Sequence, residues 1–197
     1  MFTQRSIPHS RMQLTAFFAL ALVSVAAAAP TQLTGRATQN VYTIHPNGDT
    51  TKCVGVLGGA FVVGAAADIF DCNGSATQKW YFTSGPRMTN PADGSEWALD
   101  VAPLGEANRE LVNGVKVVLN KSEDGGEDGS PYQSWGGPSA PSAPKIELSI
   151  SQPANGVMCL DLTDGIKANR NPLQIWQCVA GNTNQIWTYT VVGQITI

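Results

Sequence analysis

Apolar residues recur along the chain in short alternating runs, separated by clusters of Gly, Asn, Asp and Pro. Runs such as Cys53-Val54-Gly55-Val56 and Cys159-Leu160-Asp161-Leu162 have the two-residue period that places alternate side chains on opposite faces of a β-strand. Beyond the amino-terminal segment, no long stretch has the 3.6-residue period of an amphipathic helix. The pattern therefore predicts an all-β domain of many short strands.

The amino-terminal apolar run has a different meaning. Arg5 and Arg11 precede an apolar stretch from Leu14 to Val25, and four alanines follow it. This is the order of a secretory signal, and the stretch is too short to span a bilayer comfortably. We therefore expect a signal peptide over residues 1–28 and a single extracellular domain over residues 29–197, with no membrane insertion.

Three copies of Gln-x-Trp divide the chain into units of about 50 residues. They are Gln78-Lys79-Trp80, Gln133-Ser134-Trp135 and Gln185-Ile186-Trp187, whose tryptophans are 55 and 52 positions apart. A unit of this size cannot bury a core alone, so three units are expected to pack about a pseudo-threefold axis. The repeats are predicted at about residues 40–90, 91–145 and 146–197. Their tryptophans should be core residues, and their glutamines should satisfy buried backbone groups.

Four cysteines in an exported chain indicate two disulfides. Cys53 and Cys72 are 19 positions apart, as are Cys159 and Cys178. The second repeat has Ala98 and Ser122 at the matching places, so both members of its pair are missing together. This favours the bridges Cys53–Cys72 and Cys159–Cys178.

Charge and composition exclude several kinds of site. Without the leader the chain keeps ten Lys and Arg against 15 Asp and Glu, a net charge of −5 that disfavours nucleic acid. No cysteine spacing is typical of zinc, and only His45 remains beyond the leader, so we predict no metal and no cofactor. His45 is expected to be an unpartnered loop residue. With one histidine, a nucleophile and base pair is not expected either, and the chain is predicted not to be an enzyme.

The triplicated Gln-x-Trp with in-phase cysteines resembles the ricin B-chain-like lectins over about residues 40–190. The resemblance implies a β-trefoil, in which twelve strands form a six-stranded barrel capped by three hairpins. It also implies one possible sugar site in each repeat. Glycans, with galactose or N-acetylgalactosamine as the usual preference, are the partners it implies.

The third repeat carries the complete pattern of the family's sugar site. An Asp follows the Cys-hydrophobic pair, an aromatic residue lies two positions before the second Cys, and an Asn opens the Gln-x-Trp. The residues assigned to the site or to its support are Asp161, Asp164, Gln174, Trp176, Asn184 and Gln185. An aromatic ring covers the apolar face of galactose, a carboxylate accepts from two hydroxyls, and an amide both donates and accepts.

The other two repeats depart from this pattern. In the first, Phe70 holds the aromatic place, but Gly55 replaces the Asp, Asp68 the Gln and Thr77 the Asn; we expect an aromatic platform without a carboxylate. The second keeps Asp100 as the hydrogen-bonding anchor for a ligand, but it has Asn120 and Tyr132 at the aromatic and Asn places and so lacks the platform. We therefore expect one intact site, and weak monovalent binding unless the chain forms a homodimer.

Other interpretations of the same residues stay open. Asp161 and Asn184 are also suited to stabilising turns, and Asp164-Gly165 is expected to be a turn that shapes the pocket. A trefoil protease inhibitor would need an exposed loop, for which the acidic insertion from Glu123 to Ser130 is the candidate. A degenerate trefoil used for protein contacts is a third possibility. Asn73 and Asn120 begin glycosylation sequons.

Overall fold

The computed structural model describes residues 37–106, 108–123, 130–136, 146–148 and 156–196. The predicted signal peptide and residues 124–129 of the acidic insertion lie outside the described residues. The described chain forms β-strands joined by loops and short 3-10 turns. None of its helices is long and apolar enough to cross a membrane.

Twelve strands run through the described residues in three successive sets of four, one set for each structural repeat; the second set begins at Pro86, before the predicted boundary near residue 91. The first four are β1 (Thr38–Pro46), β2 (Lys52–Val56), β3 (Ala67–Asp71) and β4 (Tyr81–Phe82). The next four are β5 (Pro86–Thr89), β6 (Glu96–Val101), β7 (Val117–Lys121) and β8 (Trp135–Gly136). The last four are β9 (Glu147–Leu148), β10 (Met158–Leu162), β11 (Asn171–Gln177) and β12 (Trp187–Thr196).

The second and third strands of each repeat form an antiparallel hairpin: β2–β3, β6–β7 and β10–β11. Each hairpin pairs with both of the others, because β3 meets β11, Ala66 pairs with Val118, and Lys116 pairs with Gln174. The first and fourth strands pair as β1–β12, β4–β5 and β8–β9, and β5 and β9 also pair with the hairpin strands β6 and β10. The chain therefore has a pseudo-threefold arrangement of hairpins beside a second layer of strands.

The three repeated tryptophans lie in the core, as predicted. Trp80, Trp135 and Trp187 are at most 2% exposed. Each indole nitrogen donates to the carbonyl oxygen of an equivalent hairpin residue: Trp80 to Val54 at 3.0 Å, Trp135 to Leu99 at 3.1 Å and Trp187 to Leu160 at 3.1 Å. A buried indole N–H without an acceptor is costly, so this repeated bond fixes each ring against its own hairpin.

The repeated glutamines satisfy backbone groups, also as predicted. Each side chain donates to the carbonyl of the last residue of its hairpin and accepts from the amide two residues later. The pairs are Gln78 with Asp71 and Asn73, Gln133 with Lys121 and Glu123, and Gln185 with Gln177 and Val179. The Gln-x-Trp motif thus holds each hairpin from two sides.

Both predicted disulfides are present, joining Cys53 to Cys72 and Cys159 to Cys178. The expectation for His45 is wrong. It lies buried in β1, where Nδ1 donates to the Lys52 carbonyl at 2.8 Å and Nε2 lies 2.9 Å from the Thr43 hydroxyl. His45 is close to Cys53 and Cys72, but their sulfurs are joined in the disulfide and are not free to bind a metal.

Candidate functional site

The site in the third repeat lies on the β10–β11 hairpin. The register places Asp161 opposite Gln174, and Cys159 opposite Trp176. A depression of about 230 Å³ opens beside this hairpin. It is lined by Asp161, Asp164, Gln174, Trp176, Asn182 and Asn184. Five of the six residues singled out in the sequence therefore meet around one pocket.

Asp161 forms the floor of this pocket and is held by amide donors. The Gln174 side chain donates to its Oδ1 at 3.0 Å, and that of Asn182 lies 3.4 Å from Oδ2. Burial raises the pKa of Asp161, while hydrogen bonds from Gln174 and the Gln185 side chain act in the opposite direction. The donors therefore fix the orientation of the carboxyl group and favour its ionised, accepting form.

Trp176 lies outside the core, at the edge of the pocket. Its side chain follows Gln174 by two positions on β11, so both lie on the same side of the strand. It is 38% exposed, whereas the three Gln-x-Trp indoles are buried. An exposed indole beside a fixed carboxyl group offers one apolar surface and one acceptor to the same small ligand.

The predicted turn at Asp164-Gly165 shapes the pocket. Thr163–Gly165 form a 3-10 turn in which both Asp164 and Gly165 have positive φ, at 54° and 67°. A Cβ at Gly165 would lie 2.5 Å from the side-chain oxygen of Asn184. Only glycine permits this backbone conformation at low cost together with such a close approach, so the turn sets where the Asn184 amide can lie.

Two residues differ from the set that the family motif assigns to the pocket. Gln185 is fully buried, so it supports Asp161 from below the pocket instead of lining it. Asn182 lines the pocket and was missed; its side chain also accepts from the Asn184 backbone N–H at 3.0 Å. The sequence held a signal for it, because the two other repeats have Ser75 and Ser130 at the position three before the glutamine.

No protein-family model and no curated protein matches this chain. Solved structures do match. The agglutinin of Rhizoctonia solani is 20% identical, the match covering 83% of this chain and 100% of that one with a TM-score of 0.55. The β-trefoil lectin of the Vibrio vulnificus hemolysin/cytolysin, solved with N-acetyl-D-lactosamine bound, is 17% identical over 81% and 98% of the two chains, with a TM-score of 0.55. ThreeFoil, a designed threefold-symmetric protein, is 16% identical; the match covers 77% of this chain and 99% of that one, with a TM-score of 0.53. The fold is a β-trefoil.

The equivalent place in the second trefoil repeat is filled by the chain itself. Asp100 is fully buried and forms an ion pair with Arg109, whose guanidinium lies 4.3 Å from the centre of the Tyr132 ring. Asn120 and Gln133 donate to the other carboxylate oxygen at 2.9 and 3.1 Å. The expectation that Asp100 remains as an anchor for a ligand is therefore wrong, because its acceptor sites are taken.

The first trefoil repeat does present a carboxyl group, contrary to expectation. Gly55 lies opposite Asp68 in the β2–β3 register, which is the same cross-strand pair as Asp161 and Gln174. The carboxyl group therefore comes from the second strand of the hairpin instead of the first. Asp68 and Phe70 both line a pocket of about 230 Å³.

The two sequons lie at these repeats. Asn73 is exposed at the lining of the first-repeat pocket, and its side-chain oxygen accepts from the Ser75 backbone N–H at 2.9 Å. Asn120 is half-buried, and its side-chain nitrogen is the one that donates to Asp100. A glycan on Asn120 would have to replace that bond, whereas one on Asn73 would not.

Asp68 should make the stability of the protein depend on pH. Burial raises its pKa from 3.8 to about 6, although the positive charge of Arg170 opposes the shift. An acid that binds its proton more tightly in the folded state stabilises the fold fully below pH 3.8, and that contribution is lost as the pH rises through 6. The shift is worth about 3 kcal/mol at most, and we expect about half, since the pocket is open to water.

We therefore expect Asp68→Asn to raise the free energy of unfolding by about 1–2 kcal/mol at neutral pH and to change it little at pH 4. Urea unfolding at the two pH values measures the difference. Asp71→Asn on the same strand is the contrasting variant: hydrogen bonds from Lys52 and Asn169 lower the pKa of Asp71, so this change should lower the free energy of unfolding at neutral pH instead of raising it. An equal effect of Asp68→Asn at both pH values would contradict the prediction.

Proposed function

We propose that this protein is a secreted, non-catalytic lectin whose third repeat binds galactose or N-acetylgalactosamine-type glycans. The observation that carries the proposal is the meeting of Asp161 and the exposed Trp176 at one open pocket. A sugar ring stacked on the indole would direct its hydroxyl groups to the carboxylate and to the amides of Asn182 and Asn184. The axial C4 hydroxyl of galactose lets one carboxylate accept from two neighbouring hydroxyls.

The comparison with the Vibrio lectin supports a glycan ligand, since that trefoil was solved with N-acetyl-D-lactosamine bound. A binding role without catalysis is supported by the position of His45, the one histidine beyond the leader. It is buried in β1 with its ring nitrogens engaged, and it does not line the third-repeat pocket. Secretion rests on the leader sequence and is tested by amino-terminal sequencing of the exported product, which should begin close to residue 29.

A single shallow site is expected to bind a monosaccharide with a Kd of about 1 mM, which corresponds to about −4 kcal/mol. Stronger binding to a glycan surface would require more than one site per particle, and a homodimer would supply this. Sedimentation of the mature protein with and without ligand measures whether such a dimer forms.

We expect the mature protein to bind methyl β-galactoside in preference to methyl β-glucoside. We also expect Asp161→Asn and Trp176→Ala each to weaken galactoside binding at least tenfold. The first variant removes charge-assisted hydrogen bonds, and the second removes the stacking surface. Titration calorimetry measures the affinities for the monosaccharides, and a glycan array shows which larger glycans the protein binds.

The control is Asp93→Asn, which changes an exposed aspartate in the β5–β6 turn, away from the pocket lining. Its affinity should equal that of the unaltered protein. Galactoside binding that survives both site variants would move the site elsewhere. An array with no bound glycan would reject the lectin function in favour of a trefoil used for protein contacts.

A further inference from the structure

The pocket of the first repeat is a separate cavity from the third-repeat site. It lies between the β2–β3 hairpin and the 3-10 turn Ala76–Gln78. Its volume is about 230 Å³, and its lining includes Asp68, Phe70, Thr77 and Arg170. The Arg170 residue comes from the third repeat, so two repeats contribute to this cavity.

Asp68 has taken over the place of the carboxylate that Gly55 lacks. Gly55 faces the Asp68 carboxyl group: a Cβ there would lie in ordinary contact with Asp68 Oδ1, at 3.7 Å, and in tighter contact with the Gln78 side chain, at 3.1 Å. In the second and third repeats the carboxylate is on the first strand, at Asp100 and Asp161, and the opposite residues are Val118 and Gln174. Each of the three equivalent cross-strand pairs therefore contains one carboxyl group.

The Asp68 carboxyl group lacks a donor for one of its oxygens. The residue is 2% exposed, and its buried Oδ1 has no hydrogen-bond partner within the described parts of the chain. Asp161, by contrast, is held by amides. An unsatisfied buried acceptor destabilises the protein, so the Asp68 carboxyl group is available to accept from a ligand donor that enters the pocket it lines.

Arg170 places a cation at the same cavity. Its backbone is fixed, because the Arg170 N–H donates to the Ile69 carbonyl at 2.8 Å, beside Asp68. Its side chain is exposed, and its charge acts on Asp68 without a hydrogen bond between the two among the described contacts. The guanidinium therefore has its planar set of donors available for an anionic group of a ligand.

The charges of the two pockets differ. Among the described residues, the third-repeat pocket is lined by two carboxyl groups, Asp161 and Asp164, and by no lysine or arginine. The first-repeat pocket has, within the same part of the chain, one carboxyl group, Asp68, and one guanidinium, Arg170. An anionic sugar is repelled by the first arrangement and is matched by the second, where the hydroxyl donors and the acidic group of the ligand meet opposite charges.

We propose that the first-repeat pocket is a second glycan site that binds an acidic sugar. A ring hydroxyl donates to Asp68, the ring packs against Phe70, and the carboxylate of the sugar accepts from the Arg170 guanidinium. This inference rests on the proposed function only in taking the ligand to be a carbohydrate. It assigns a different residue set and a different ligand class from those of the third repeat.

The test uses the mature protein carrying Trp176→Ala, in which the third site is removed. The probes are the methyl glycosides of glucuronic, galacturonic and N-acetylneuraminic acids, with methyl glucoside and methyl galactoside as neutral counterparts. We expect at least one acidic glycoside to bind at least ten times more tightly than the neutral ones, and to perturb the NMR signals of Phe70 and Thr77. Adding Asp68→Asn should weaken that binding at least tenfold, and adding Arg170→Gln should remove the preference for the acid.

Asp71→Asn is the matched control on β3, since Asp71 bonds to Lys52 and Asn169 instead of lining the pocket, and its affinity should be unchanged. The inference is overturned if no acidic glycoside binds, if neutral sugars bind equally well, or if binding survives Asp68→Asn. If the unaltered protein binds galactoside but no acidic sugar, this inference alone is rejected. If it binds an acidic sugar but no galactoside, the third-repeat function is rejected and the first-repeat site is retained.

Discussion

Arg109→Met should lower the free energy of unfolding by about 3–4 kcal/mol, because it leaves a carboxylate in the core without its cation. Asp100 is fully buried and Arg109 is 5% exposed, so water cannot replace the lost charge. Removing one partner of a buried ion pair typically costs 3–5 kcal/mol. The amide groups of Asn120 and Gln133 still donate to Asp100, which places the expected value in the lower part of that range.

The double variant Asp100→Asn/Arg109→Met separates the loss of the pair from the burial of an unpaired charge. With both charges removed, we expect about half of the lost stability to return, since a neutral amide costs less to bury than a carboxylate. Urea unfolding of the single and double variants gives the coupling energy. A loss below 1 kcal/mol for Arg109→Met alone would show that the pair adds little to the stability of the second repeat.

The sequence predicted the parts of this protein that the threefold repetition constrains. Trp80, Trp135 and Trp187 recur in phase because each indole must reach the equivalent hairpin carbonyl, and their glutamines recur because each must hold the same two backbone groups. The disulfides were predictable for the same reason, since each bridges the same two positions of a repeat. A contact that each of the three repeats must make places the same residue types at a regular spacing along the sequence.

The errors fall where a residue acts outside that period. Arg109 reaches Asp100 from the long connection between β6 and β7, whose length differs from that of the equivalent connections. Asp68 occupies the position of Gln174, and it supplies from the second strand the carboxyl group that Asp161 supplies from the first. Comparing residues one position at a time misses a side chain that moves to the facing strand.

The position of Gln185 connects the stability of the third repeat to its candidate pocket. Its side chain donates to the Gln177 carbonyl and accepts from the Val179 N–H, both at 2.9 Å, and it also hydrogen-bonds to Asp161. Gln177 and Val179 flank Cys178, directly after Trp176. The residue that closes the hairpin is therefore also the one that holds the carboxyl group below the pocket.

Gln185→Ala should lower the free energy of unfolding by about 3 kcal/mol and weaken galactoside binding at least tenfold. The first effect follows from two lost backbone hydrogen bonds and the space left by the side chain, and the second from the loss of a donor that fixes Asp161. Gln78→Ala is the matched variant, because Gln78 makes the same two backbone bonds in the first repeat. It should destabilise the protein similarly and leave galactoside affinity unchanged, as measured by urea unfolding and calorimetry. If both variants lost galactoside affinity equally, binding would depend on the stability of the whole trefoil, and the specific support of Asp161 by Gln185 would be rejected.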